Sequence, residues 1–296
     1  MTTAAVTATR SRPSSSRSIP VRRLNLDLTT AEVGRWIVEG DPIFSHLMAA
    51  LSSVFPRGEE FFVTSVRTHR GAIGDNAVLK SQVNAFIGQE AMHGREHRDV
   101  NATLAAIGYP TVAIDAGIGR VLAVLTRLRP RTLPLAITAG SEHLTGIFAE
   151  AFLGHEPTRE VLLTEPSFET LVLWHALEEL EHKNVAFDVF EAVSGNYVIR
   201  VAGLGLAVGM LGGYVVISWG RAVVADRRHL TRAALLKHRA NRRRQRLLSP
   251  WAARQLLTYL RPGFHPDDSE TDALVEEWRV RLADRTTAVA ARPRVG

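Results

Sequence analysis

Residues 86–97 read FIGQEAMHGREH and residues 174–183 read WHALEELEHK. Each stretch holds a Glu and a His three residues apart, Glu90-x-x-His93 and Glu179-x-x-His182. In a helix that spacing sets the two side chains about 60° apart around the axis, so both project from one side. One such pair arises easily by chance in a helical protein. Here each is preceded by a Glu in an apolar helical stretch of its own: Glu59 lies 31 residues before Glu90, and Glu142 lies 37 before Glu179. Those intervals suit adjacent antiparallel helices. The order predicts an all-α fold in which four helices bring four carboxylates and two imidazoles into one bundle core.

The rest of the chain agrees with that class, because no stretch shows sustained period-two alternation. Thr29 or Thr30 is placed to cap a short helix running through Trp36 and Val38. Gly40-Asp41-Pro42 starts the next, with Pro at the first helical position. Gly58 precedes the helical apolar pattern around Glu59, Phe61 and Phe62. Asp75 caps a long helix over residues 77–107, stopped by Gly108 and Pro110. A further helix covers 133–153, ended by Gly154 and Pro157, and Pro166 opens the fourth bundle helix over 167–193, closed by Gly195. The expected organisation is a disordered basic tail over 1–23, the bundle over 24–196, an apolar Gly-rich helix over 197–226, and a basic helix with a C-terminal helical cap over 227–296.

With 296 residues, 46% of them hydrophobic, the chain can bury one large core with appendages. It has no cysteine, which excludes disulfides, thiolate metal sites, iron–sulfur clusters and Cys nucleophiles. The net charge of +6 is unevenly spread. Residues 1–23 carry five Arg and no acid, and residues 200–246 carry eleven Lys or Arg against Asp226 alone. The remainder is acidic, which argues against a nucleic-acid partner. Residues 201–220, VAGLGLAVGMLGGYVVISWG, are uncharged and long enough to cross a bilayer. Gly205, Gly209 and Gly213 follow the close-packing pattern of membrane helices. Membrane association, burial in the bundle and a true span all stay open for this helix. The Arg-rich run beyond it suits an anionic membrane surface. The expected location is cytoplasmic, peripheral at the inner face of the membrane.

Around the two Glu-x-x-His helices further groups share the ligand stripe. Relative to Glu90, His93 lies at about 300° and His97 at about 340°, whereas Glu96 points away. His175, Glu179 and His182 fall within about 60° of one another. The candidate metal ligands are therefore Glu59, Glu90, His93, Glu142, His175, Glu179 and His182. His97 is expected to hydrogen-bond a ligand or to serve as one, and Glu178, beside the stripe, is the candidate catalytic acid or an alternative ligand. Glu181 faces away, toward solvent or Lys183. Carboxylates can bridge two cations and neutralise them, and neutral imidazole suits iron, manganese or zinc. The expected cofactor is two metal ions, iron first, with manganese or zinc as alternatives. Phe61, Phe62, Phe86, Ile87, Phe148, Phe152 and Trp174 flank the ligands and point to a dry pocket for a small hydrophobic substrate. His265, in the turn Gly263-Phe264-His265-Pro266, is expected to satisfy local backbone groups, the alternative being a lid over the site.

The ligand set is similar to that of ferritin-like di-iron and di-manganese proteins. The stretches Phe55-Pro56-x-Gly58-Glu59-x-Phe61-Phe62, Phe86-Ile87-x-Gln89-Glu90-x-x-His93-x-x-Glu96-His97, Trp174-His175-x-x-Glu178-Glu179-x-Glu181-His182-Lys183 and Arg261-Pro262-Gly263-Phe264-His265-Pro266 resemble the bacterial family of predicted metal-dependent hydrolases over about residues 20–285. That family often has Gly-Glu-Arg where this chain has Gly58-Glu59-Glu60, so Glu59 takes the ligand place and Glu60 is a departure. His175-x-x-x-Glu179-x-x-His182 also resembles the spacing of di-iron arylamine N-oxygenases, which implies His175 as a seventh ligand. The leading expectation is a di-iron enzyme that uses O2 and an external electron donor to oxidise a small hydrophobic or amine-bearing molecule. The alternative is a metal-dependent hydrolase acting through hydroxide generated at the metals. A third is a non-enzymatic iron-binding bundle.

Overall fold

The computed structural model describes residues 19–24, 26 and 33–289. They form an all-α bundle whose only sheet, among the described residues, is one pair of three-residue strands. Four helices carry the candidate ligands: α1 (Pro42–His69), α2 (Ala77–Ala106), α4 (Thr132–Leu153) and α6 (Pro166–His182). Between α2 and α4 runs α3 (Thr111–Leu125), and α5 (Glu156–Leu162) bridges α4 to α6. α1 packs along α2, and α4 along α6.

α1 starts as its sequence demands, with Pro42 in the first turn and the Asp41 carboxylate accepting from Phe44 N at 3.0 Å. It then passes uninterrupted through Pro56 and Gly58. A proline inside a helix leaves the carbonyl four residues earlier without its partner. That carbonyl, Ser52 O, instead accepts from Asn101 Nδ2 of α2 at 3.0 Å. α2 is capped by Asn76, whose Oδ1 accepts from Leu79 N, and not by Asp75. Residues 33–38 are irregular where a short helix is expected; Thr29 and Thr30 lie outside the described residues. The fourth bundle helix also differs from the expected 167–193. It ends at His182, and α7 (Val185–Val193) follows. At the break the Lys183 ammonium reaches Ser269 O (2.7 Å) and Thr271 Oγ1 (2.9 Å) in a C-terminal turn.

The apolar segment is one helical run, Tyr197–Ala225, long and apolar enough to cross a membrane by length and composition. It divides into α8 (Tyr197–Leu206), a π-helical turn (Ala207–Gly212) and α9 (Gly213–Ala225). α8 lies on α4 and α9 on α1. The glycines that make this packing are not Gly205, Gly209 and Gly213, which have no neighbour within 4 Å. They are Gly203, against the Ala136 backbone, and Gly140, against Leu204. Only 28% of the most apolar window is buried, and Val198, Val216, Ile217 and Val224 face outward.

The basic helix α10 (Arg232–Arg244) docks on the start of α1, with His238 Nδ1 and Asn241 Nδ2 on the Asp41 carboxylate at 3.1 and 3.0 Å. α11 (Pro250–Thr258) and α12 (Asp272–Arg281) complete the chain's helices. Strand β1 (Arg22–Leu24) pairs antiparallel with β2 (Thr286–Ala288). The disordered tail expected over 1–23 is thus corrected at its C-terminal end: residues 19–23 are placed, while 1–18 lie outside the described residues. A lone three-residue strand has no local signal; its partner is supplied from the far end of the chain.

Candidate metal centre

Glu59, Glu90, His93, Glu142, His175, Glu179 and His182, on four different helices, are all buried and converge on one point of the core. Their atoms form overlapping groups, each within 4.8 Å: Glu59, Glu90 and His93; Glu90, Glu179 and His182; His93, His175 and Glu179; Glu59, His97 and His175. Glu59, Glu90 and Glu179 each belong to two groups with different histidines, which sets these three carboxylates at the heart of the cluster. Glu142 stands 3.3 Å from His182 Nε2, on that side of the cluster.

The polar atoms facing inward are orphaned. Both oxygens of Glu59, Glu90 and Glu142, with His93 Nδ1 and His182 Nε2, are buried without a hydrogen-bond partner. His182 Nε2 is 3.1 Å from Glu90 Oε1, yet the two do not form a hydrogen bond. A buried carboxylate without a partner is strongly unfavourable, and one divalent cation satisfies several at once. The donor set, oxygen and imidazole nitrogen only, therefore fits a divalent metal.

The histidines are oriented from behind. Gln89 Nε2 donates to Glu181 Oε2 (2.9 Å) and Pro20 O (3.0 Å), which turns its Oε1 to accept from His182 Nδ1 at 2.9 Å. His182 is thereby held with its Nε2 lone pair inward. His93 Nε2 donates to Glu178 Oε2 at 3.1 Å, leaving Nδ1 inward. Glu178 also accepts from Trp174 Nε1 and Arg22 Nη1, each at 3.2 Å. It thus sits behind His93. Glu181 corrects its expected outward position: it is buried, paired bidentately with Arg22 at 2.8 Å and bonded by Arg279 Nε at 2.7 Å. Replacing Gln89 by Leu frees His182 to rotate, and metal affinity is expected to fall about tenfold to a hundredfold. Competition with a chromophoric chelator measures this; unchanged affinity would detach Gln89 from the centre.

A second chain of bonds enters from α1. Asn101 Nδ2 is committed to Ser52 O, so its Oδ1 accepts from the Ser52 hydroxyl at 2.7 Å. Ser52 Oγ must then accept from His97 Nδ1 (2.9 Å), and His97 Nε2 from His175 Nδ1 (2.7 Å). His175 Nε2 lies 2.8 Å from Glu179 Oε1. That last contact needs its own proton, held between His175 and Glu179. Both nitrogens of His175 are therefore engaged, and ligation by His175 requires that proton to leave. His97 takes the hydrogen-bonding role.

Burial, then the neighbouring carboxylates, push Glu59 and Glu142 well above the usual carboxylate range. Burial likewise raises Glu90, with His182 opposing, and lifts Glu178 to about 8 against the pull of Arg22. Burial also acts to raise Glu179, but the nearby His175 and His182 imidazoles outweigh it and hold it well below. Burial lowers His93 and His97. It works the same way on His182, where Glu142, Glu179 and Glu90 overcome it and raise the imidazole.

Of the expected aromatic flank, Phe86 meets His182 and Trp174 meets His93, each at 4.9 Å between ring centroids. Phe55 touches both His97 and His175. Glu60 is an exposed acid. His265 is bonded to Asp188 at 2.8 Å and accepts from Asp267 N, the local role expected for it. On the Glu142 side lies a polar cavity of about 700 Å3 that includes His143, Lys183 and Arg261. On the Glu179 side lies an apolar one of about 480 Å3.

Fold and cluster together define an all-α bundle built around a buried carboxylate–histidine group able to hold metal. Residues 20–270 match the family model described as predicted metal-dependent hydrolase, and the chain belongs to that family. No curated protein and no solved structure matches the chain. The family description favours the hydrolytic alternative over the O2-dependent oxidation expected from the ligand spacing.

Proposed function

We propose that this protein is a hydrolase that works with two divalent metal ions. Glu59 and His93 would hold one, Glu142 and His182 the other, with Glu90 and Glu179 shared between them. The observation that carries the reading is the set of orphaned inward atoms on Glu59, Glu90, His93, Glu142 and His182. Charge agrees with it: four ligand carboxylates balance two dications, while behind them Glu178 and Glu181 are balanced by Arg22 and Arg279. When bound, such ions polarise a carbonyl or phosphoryl oxygen and acidify water.

The side chains divide the remaining work. Glu178 and Gln89 fix the two histidine tautomers. The Ser52–His97 pair keeps His175 in place, with its Nε2 2.8 Å from Glu179 Oε1. Hydrolysis needs water and an organic substrate at one point. The polar cavity at Glu142 and the apolar cavity at Glu179 supply separate approaches for them.

The test is to strip the protein with a chelator, reload it separately with zinc, manganese and ferrous iron, and assay ester, amide and phosphoester substrates. Hydrolysis is expected to vanish on stripping and return with metal. O2 uptake by the ferrous form, with no hydrolysis under any metal, would overturn the reading in favour of oxidation chemistry.

A further inference from the structure

The apolar cavity beside Glu179 is not closed. Its wall of Leu51, Phe55, Thr145 and Phe148 also lines a second, adjoining cavity between α1, α4 and the π-helical turn. The lining of the second cavity is almost wholly hydrocarbon. Its polar hydrogens are spent within the protein: Ser141 Oγ donates to Ile137 O, Trp219 Nε1 to Ile43 O, and Thr145 Oγ1 to the Glu179 carboxylate. Nothing there is left to recognise a polar group.

The space is also built into the backbone. The π-helical turn contributes Ala207, Leu211 and Gly212 to the wall, and π turns inside helices are frequent at functional sites. A Cβ at Gly58 would meet nothing within 4 Å, and one at Gly212 only Ala207 O at 3.9 Å. At the rim, Val216 and Leu248 are 58% and 43% exposed, so the cavity opens on the outward apolar face of α9.

We propose that these adjoining cavities hold the straight hydrocarbon chain of the substrate, which passes between them along Phe55 and Phe148. Its reacting group lies against Glu179 and His175, and its tail runs past Phe55 and Phe148 toward Leu211 and Gly212. The placement of the reacting group rests on the hydrolase reading; the chain-binding cavity does not.

Titration calorimetry of the metal-free protein with straight-chain alcohols from hexanol to dodecanol separates the two. Each added methylene is expected to tighten binding about fourfold until the cavity is full. Gly212→Phe, which fills the middle of the cavity, is expected to weaken dodecanol binding at least tenfold with metal binding unchanged. Should that variant fail to fold, Leu248→Trp at the exposed rim carries the same expectation. Affinity independent of chain length, or equal in wild type and the folded variants, would overturn the proposal. Chain-length-dependent binding in a protein that hydrolyses nothing would leave the cavity assignment standing and sink only the hydrolase reading.

Discussion

Glu179→Ala is expected to abolish stoichiometric metal loading, dropping the metal count from the proposed two per chain to one or none by elemental analysis after gel filtration. Glu179 is common to two of the ligand groups and is held below the usual carboxylate range by His175 and His182, so it is the anion most ready to receive a cation. Its loss also leaves those two imidazoles without their shared partner. Retention of two tightly bound ions would refute the centre. Glu142→Leu provides the converse measurement. In the metal-free protein both Glu142 oxygens are buried and unpartnered, and such a group costs about 1–3 kcal/mol. Glu142→Leu is therefore expected to raise the melting temperature of the metal-free protein while weakening metal binding. A fall in both would mean that Glu142 has structural partners.

Gly203→Ala is expected to cost about 3 kcal/mol of stability, at the upper end for an overpacked contact. A Cβ at Gly203 would lie 2.4–2.6 Å from the C, O and Cβ of Ala136, in the second turn of α4. The helix cannot retreat cheaply, because α4 presses on it in turn at Gly140, where a Cβ would lie 2.8 Å from Leu204 Cα. Gly205→Ala, two residues away with nothing within 4 Å, is the control. There the lower backbone entropy of alanine should stabilise by about 0.5–1 kcal/mol. Denaturant unfolding of the pair reads the difference directly. Equal midpoints would show that α8 is not clamped on α4.

The candidate ligand positions were legible because a metal site built on helices places its residues on a helical period. A Glu and a His three apart, twice over, with an isolated Glu on each partner helix, leaves few other arrangements. The all-α class followed from the same periodicity. What supports the ligands was far less legible, because it depends on contacts between residues distant in sequence. Glu181 reads as outward on its own helix, but Arg22 and Arg279 reach it from opposite ends of the chain. Pro56 and Gly58 read as a boundary, yet Asn101 repairs the carbonyl that the proline strands. Among the glycines of the apolar helix, a regular four-residue spacing drew attention to Gly205, Gly209 and Gly213. The close approaches fall on Gly203 and Gly140, where a facing backbone decides the matter. Gln89 had a readable signal: it adjoins Glu90 and projects about 100° around the helix, within reach of α6.

The pairing of β1 with β2 brings Arg22 and Arg279 together on Glu181, and Arg22 alone also holds Glu178. A chain emerging from the ribosome exposes its N-terminal portion first. All the candidate ligands are made before α12, and the cation from α12 and the strand that seats Arg22 follow them. Until then Glu181 lacks one of its two counter-charges, and β1 has nothing to pair with. The candidate ligand cluster thus reaches its supported form only once α12 and β2 have followed the bundle out of the ribosome.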